Sequence, residues 1–360
     1  MSKKYTSLGL MSGTSGDGVD ASIIISDGIN NYEIIEDKYF EYDKEIYKNI
    51  HNLKERINNK NNLNDFSDEL NVLEKKITLF HAKVVQELSG SKVIDLVGFH
   101  GQTMYHNSNE KISKQLGDGK LLSQLTKKKV VYNFRENDLK NGGQGAPLTP
   151  IFHKLLLNQK KINLPVTVLN IGGIANITSV QKGDKIFSSD IGPGNCLIDK
   201  WVRSNSDKNY DENGSFAKKG KINKIILNQS LENFYENNIS KKRSYDTKDF
   251  DLSFVRGLSL EDGAATLTEF TASILSTKKM DNKIYICGGG RKNLSLLDSI
   301  RKKINGEIKL IDDLGIDGDF VESQAFAYLA IRSYIGLPIS FPETTGTNKV
   351  CNGGIIAEPK

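Results

Sequence analysis

A disulfide framework is the first thing this sequence lacks. Its three cysteines, Cys196, Cys287 and Cys351, are far apart and odd in number, which fits a reducing compartment. Long hydrophobic runs are missing too. The most apolar region, Ala325 to Phe341, is broken by Arg332 and Pro338 and is too short to span a bilayer. The residues ahead of the first glycine cluster do not form the apolar core of a signal peptide. Nor is charge of one sign concentrated. The net charge is +5, but basic tracts such as Lys127-Lys128-Lys129 and Lys241-Lys242-Arg243 are short and carry no interleaved aromatics. A solvated lysine-rich surface therefore outweighs a nucleic-acid site. The expectation is a cytoplasmic globular protein with neither nucleic-acid nor membrane partners, its 360 residues long enough for two domains.

The common catalytic signatures are absent as well. There is no G-x-x-x-x-G-K-[ST] phosphate loop, and Gly117-Asp-Gly119 lacks the third glycine of a dinucleotide fingerprint. The five histidines include no H-E-x-x-H and no metal-ligand spacing with cysteine. No G-x-S-x-G nucleophile elbow occurs. His81 falls inside a long amphipathic pattern and reads as structural.

What the chain does have is small-residue loops placed after apolar runs. The first is Gly9-Leu-Met-Ser-Gly-Thr-Ser-Gly-Asp-Gly-Val-Asp-Ala-Ser22, a strand, a glycine-rich turn and the start of a second strand. Backbone N–H and hydroxyl groups in such a turn can approach a phosphate. Asp17 and Asp20 would repel it unless a divalent cation lay between, as Mg²⁺ does with one or two carboxylates plus nucleotide phosphates. A plain hairpin with a generous turn is the simpler alternative.

The periodicity beyond this turn predicts a third strand over Tyr32–Tyr42 and a helix with a polar insertion over 44–64. A long helix follows from Phe66, with apolar residues at Leu70, Leu73, Ile77, Phe80, Val84 and Leu88, ending at Gly90. Val93 to Phe99 then reads as a buried central strand. This order, three antiparallel strands, a helix and a parallel strand, is the ribonuclease-H type of α/β layer. A second copy of the plan opens at Val166 with Asn170-Ile-Gly-Gly-Ile-Ala-Asn176. It continues through a third strand ending at Asp190, the span 207–251 of loops and short helices, strand Lys283–Cys287, the Gly288-Gly289-Gly290 turn, and a last long helix over Glu322–Ile335.

Several loops could carry chemistry. Phe99-His100-Gly101-Gln102-Thr103 is expected at the C-terminal end of a buried strand, where open α/β sheets bind ligands; a solvated polar loop is the alternative. Arg135 could clamp a carboxylate bidentately, with Gly142–Gly145 closing over a ligand or serving as a flexible connector. Asp190, before Gly192-Pro193-Gly194, is a candidate general base or a turn aspartate.

Taken together, Met11-Ser-Gly-Thr-Ser-Gly-Asp-Gly-Val-Asp20, Gly98-Phe-His-Gly-Gln-Thr103, Asn133-Phe-Arg135 with Gly142-Gly-Gln-Gly-Ala-Pro147, Asn170 to Asn176, Asp190-Ile-Gly-Pro-Gly-Asn195 and Gly288–Gly290 resemble the anhydro-N-acetylmuramic acid kinase family. They run in family order over nearly the whole chain. Gly16 departs from the pattern, which usually has Met or Leu there. The resemblance implies an α/β fold of two ribonuclease-H-like lobes, the actin-like ATPase and sugar kinase fold, with a central nucleotide and sugar cleft. The expected lobes are 1–132, joined by 337–360, and 133–336.

The resemblance also implies an ATP- and Mg²⁺-dependent enzyme of cell-wall recycling, commonly a homodimer. It would hydrolyse the anhydro ring of 1,6-anhydro-N-acetylmuramic acid while phosphorylating O6. Asp190 would be the catalytic base. Gly13, Thr14, Ser15, Gly16, Asp17, Gly18, Val19 and Asp20, with Gly172, Gly173, Asn176, Gly288, Gly289 and Gly290, would bind ATP, and Asp17 the metal. His100, Gln102, Thr103, Arg135 and Glu322 would bind the sugar. An ordinary amino-sugar kinase of the same superfamily and a nucleotide-driven clamp without sugar chemistry are the alternatives.

Overall fold

The computed structural model describes residues 3–238 and 244–359; the basic tract Lys241-Lys242-Arg243 lies outside them. From the N-terminus run strands β1 (Tyr5–Ser12), β2 (Gly18–Ser26) and β3 (Tyr32–Glu41), then helices α1 (Lys44–Arg56), α2 (Lys60–Asp65) and α3 (Ser67–Ser89). Next come β4 (Leu96–Asn107), β5 (Ile112–Leu116), α4 (Gly119–Thr126), β6 (Lys129–Tyr132), α5 (Glu136–Lys140) and α6 (Pro150–Gln159). The chain continues with β7 (Val166–Ile171), β8 (Ile174–Val180), β9 (Ile186–Pro193), α7 (Cys196–Asn205), α8 (Ser215–Lys219), α9 (Lys224–Asn238) and α10 (Leu260–Ser276). It closes with β10 (Lys283–Cys287), α11 (Leu294–Lys303), β11 (Glu307–Leu310), α12 (Val321–Tyr334), α13 (Pro342–Thr345) and β12 (Ile355–Ala357).

These elements form two compact units, Met1–Ile162 with Asp319–Lys360, and Asn163–Gly318. In the first, the sheet order is β12-β6-β4-β1-β2-β3, with β5 added to β4. β1, β2 and β3 pair antiparallel, and β4 pairs parallel with β1, as the ribonuclease-H pattern predicts. One face of this sheet is covered by α1 and α3, whose Ile46, Ile50, Leu73, Ile77 and Val84 join Leu8, Leu10, Ile23 and Phe99 in one core. In the second unit the order is β11-β10-β7-β8-β9, with β7, β8 and β9 antiparallel and β10 parallel to β7. The fold class is therefore α/β, with the same strand grammar used twice.

The unit boundaries differ from those expected at 132/133 and 336/337. Helix α12 belongs to the first unit because two strand glycines let it lie directly on the sheet. A Cβ at Gly9 in β1 would overlap the Ser323 carbonyl oxygen, and one at Gly98 in β4 would overlap that of Phe326. Ser22 and Ser323 hydroxyls bond at 2.6 Å, and Gln324 Nε2 donates to Asp37 Oδ2 at 2.9 Å. Small residues on the strands set this docking, and hydrophobic periodicity does not register them.

Other differences are local. The 44–64 segment is two helices, and α9 is a fifteen-residue helix inside the span expected to be loops with short helices. The expected loop at His100–Thr103 is strand: β4 runs on to Asn107 and hairpins with β5. The β1–β4 register steps from Leu10↔Phe99 to Ser12↔Gln102, with Gly101 at φ +75°. A bulge around this glycine keeps a polar run inside the sheet.

Candidate active site

In the first unit, residues 13–17 join β1 to β2 as a tight turn, with the Gly16 N–H donating to Gly13 O at 3.2 Å. Gly16 has φ +64°, and a Cβ there would stand 2.9 Å from Ile50 Cγ2, so both conformation and space favour glycine. Two neighbours fix the loop's carbonyls. Lys54 Nζ donates to Thr14 O at 2.8 Å, and Gln102 Nε2 to Gly13 O at 3.0 Å. Ser15 Oγ donates to Asp17 Oδ1 at 2.6 Å. Gly18 lies in β2 against Tyr39, and Val19 is fully buried in the core, so Val19 offers a ligand only its backbone.

Asp20 sits in β2, registered between Met11 of β1 and Tyr39 of β3. Burial raises the pKa of the Tyr39 phenol, and the charges of Asp17, Asp20 and Glu41 raise it further. Negative potential thus gathers around this end of β2. Among the described residues no group of three or more His, Cys, Asp or Glu forms a metal cage. Two carboxylates at this end of β2 suit Mg²⁺, an ion commonly held by one or two carboxylates with its remaining ligands from phosphates and water.

The side chains of the β4 run divide their work. His100 is buried; its Nδ1 donates to Gly101 O at 2.7 Å, and its Nε2 accepts from Arg135 at 2.9 Å (Nη2) and 3.3 Å (Nε). Burial, then the adjacent guanidinium, holds the His100 pKa well below the usual imidazole range. His100 is therefore a neutral acceptor that orients Arg135, whose Nη1 also donates to Gly145 O at 2.7 Å. Gln102 is directed to the 13–17 turn through Gly13 O, and its Oε1 is buried with no hydrogen-bond partner among the described residues. Thr103 Oγ1 accepts from Gln115 Nε2 across the β4–β5 hairpin at 3.1 Å. Glu322 is half-buried in the first turn of α12. The structure thus brings His100 and Arg135 together, while Gln102 joins the Gly13 loop rather than that pair.

In the second unit, Gly172 and Gly173 form the turn between β7 and β8. Their carbonyls accept from the N–H groups of Asn195 (2.8 Å) and Gly194 (2.9 Å), respectively. A Cβ at Gly194 would overlap Gly172 O, so the segment after β9 is laid directly on this turn. The strand itself is longer than expected: Asp190 lies within β9, which runs to Pro193. Ladder partners connect Cys287 to Asn170, Asn170 to Asn176 and Asn176 to Asp190, one row across four strands. Asp190 Oδ2 accepts from the Tyr245 N–H at 2.9 Å. Asn176 Oδ1 is buried with no hydrogen-bond partner among the described residues.

The row ends at the Gly288–Gly290 turn. Gly288 has φ +80°, and a Cβ there would come within 2.5 Å of Asn170 Oδ1; one at Gly290 would overlap Ile171. At Gly289 the nearest atom would be Asn195 Nδ2, 3.8 Å away. Gly288 and Gly290 therefore seat the turn on β7, and Gly289 is its open position. What holds the turn from behind was not legible in the sequence. Arg291, 6 % exposed, donates through Nε to Asp312 Oδ2 (2.8 Å) and through Nη2 to Asp317 Oδ1 (2.9 Å). Its place next to Gly290 was the available signal; the two aspartates lie more than twenty residues away in sequence. Asn170 was likewise visible only as the first residue of a matched motif.

A sequence model described as "AnmK: Anhydro-N-acetylmuramic acid kinase" matches residues 5–359. A protein of Pelagibacter ubique named anhydro-N-acetylmuramic acid kinase is 58% identical, covering 99% of this chain and 100% of its own. One of the same name from Rhizobium etli is 37% identical over 98% and 99%. Among solved structures, the Acidaminococcus fermentans (R)-2-hydroxyglutaryl-CoA dehydratase component A overlays with a TM-score of 0.47 at 13% identity, over 92% of this chain and 99% of that one.

Proposed function

The chain belongs to the anhydro-N-acetylmuramic acid kinase family, and from that premise we propose how its residues divide the reaction. The enzyme uses ATP to convert 1,6-anhydro-N-acetylmuramic acid to N-acetylmuramate 6-phosphate, a step of cell-wall recycling. In the anhydro sugar O6 is bonded to C1, so no free 6-hydroxyl exists to deprotonate. A base that takes a proton from water allows the water oxygen to bond to C1. The C1–O6 bond breaks with its electron pair going to O6. O6 bonds to the γ-phosphorus as the bridge to ADP breaks, and the proton taken from water is released from the enzyme.

Asp190 is assigned as that base. The observation that carries the assignment is its register opposite Asn176, beside the Gly172–Gly173 turn that would receive phosphate in the same unit. The residues 13–17 turn and Gly172–Asn176 would bind the phosphates, and Gly289 would lie against the nucleoside. Asp17 and Asp20 would hold Mg²⁺, which neutralises charge developing on the transferred phosphoryl group. Arg135, oriented by neutral His100, suits the lactyl carboxylate through its planar fork. Glu322 and Thr103 remain sugar-side candidates, and Gln102 is reassigned to supporting the phosphate loop. Cytoplasmic location and a homodimeric state belong to the same proposal; among the described residues no helix is long and apolar enough to cross a membrane.

The test is to incubate purified protein, Mg-ATP and 1,6-anhydro-N-acetylmuramic acid in H₂¹⁸O and identify the product by mass spectrometry. The expected product is N-acetylmuramate 6-phosphate with ¹⁸O at C1. A parallel incubation with free N-acetylmuramic acid completes the test: sugar phosphate from the free sugar alone would replace this reading with an ordinary amino-sugar kinase, and sugar phosphate from neither would end it.

A further inference from the structure

Asp138, in α5, is 1 % exposed, and it takes no part in the chemistry above. Its Oδ2 accepts from the Gly145 N–H at 2.7 Å, and its Oδ1 accepts from Thr345 Oγ1 at 2.6 Å. Both donors are neutral. Among the described residues no cation pairs with it, and a buried carboxylate without one is costly, so its partners point to a task beyond packing. Gly145 supplies it. The N–H of this glycine goes to Asp138, while its carbonyl accepts from Arg135 Nη1 at 2.7 Å. Gly145 has φ +73°, a backbone conformation that glycine adopts without strain. A Cβ at Gly143 would overlap the Asp138 carboxylate, so the glycine-rich segment is fitted around this one side chain.

The other end of the guanidinium is held by His100, which is itself anchored on Gly101 O. From Thr345 through Asp138, Gly145 and Arg135 to His100, each bond fixes the next group, all within the first unit. Thr345 adds a second tie, its carbonyl accepting from the Gln144 N–H at 2.9 Å.

We infer that Asp138, with Thr345, is a positioning residue for sugar recognition: it holds the Gly145 carbonyl where it aims Arg135 at the substrate's carboxylate. The inference rests on the reading that Arg135 receives that carboxylate. Steady-state kinetics of the full-length enzyme test it. Asp138→Ala raises KM for the anhydro sugar about tenfold, the scale of one hydrogen bond to a charged group, and leaves KM for ATP within about twofold. Asp138→Asn, which keeps an acceptor for the Gly145 N–H, restores most of the loss. In an Arg135→Ala background Asp138→Ala adds little, because both changes remove one interaction.

If Arg135→Ala leaves the sugar KM unchanged, the carboxylate reading of Arg135 fails. If Arg135→Ala raises it but Asp138→Ala does not, or the two effects add, the positioning role fails. Should Asp138→Ala not fold, Thr345→Val is expected to raise the sugar KM in the same direction. An equal rise in both KM values there would mark the network as scaffolding and overturn the inference.

Discussion

Asp190 stands directly across the β8–β9 ladder from Asn176. Side chains opposite each other in an antiparallel pair share a face, about 5 Å apart at Cβ. The proposed base and a partly buried amide from the second glycine hairpin therefore act on the same side of one sheet. Asp190→Asn keeps an acceptor for the Tyr245 N–H and should fold normally while kcat falls at least about 10²-fold, the scale of a lost general base. A rate near that of the parent would remove Asp190 from the role. Asn176→Asp makes the complementary prediction. A second carboxylate opposite the first disfavours its charged form, so the acid limb of the kcat/KM profile should move to higher pH.

Gln102 links β4 through Gly13 O to the 13–17 turn, the proposed phosphate site. Gln102→Ala should raise KM for ATP about fivefold, as expected for one hydrogen bond of about 1 kcal/mol. The sugar KM should change less. The reverse pattern would return Gln102 to the sugar pocket.

Arg291 holds the Gly288–Gly290 turn through a fork shared between Asp312 and Asp317. Lysine keeps the charge but not the planar geometry. Arg291→Lys should therefore weaken nucleotide binding about tenfold, the loss of one charge-assisted bond, measurable by calorimetric titration with ADP. Unchanged affinity would show that the turn needs no such support.

Buried histidines give a pH dependence of stability. Burial depresses the pKa of His81 and His153 to about 4 and holds that of His100 well below normal. Between pH 6.5 and 4 the unfolded chain binds protons that the folded His81 and His153 do not. Their contribution is present above the unfolded value and is lost as pH falls, by up to about 1.4 kcal/mol per pH unit for each histidine. Urea unfolding followed from pH 7 to 4.5 should show this decline. It should be shallower in a His153→Gln variant, and an identical slope would assign the decline to other groups.

Much of the fold was legible because it rests on local rules. Alternation and turn glycines marked β1, β2, β7 and β8, and a three-to-four spacing of apolar residues marked α3. The β4–β5 hairpin was not legible. Its strands carry His100, Gln102, Thr103 and Gln115, polar residues whose hydrogen bonds are made only once the sheet exists. The unit boundary was missed for a related reason: α12 is placed by Gly9 and Gly98, more than 220 residues earlier in the chain.

The sequence by itself determined the family, the doubled strand order and the residue types available for chemistry, because motif order, periodicity and turn residues are properties of neighbouring positions. Tertiary structure alone decided their partners. It turned Gln102 toward Gly13, set Asp190 opposite Asn176, tied Arg135 to His100 and put Asp138 behind Gly145. Strand register and close backbone approach bring such pairs together across long stretches of chain, and no local pattern encodes them.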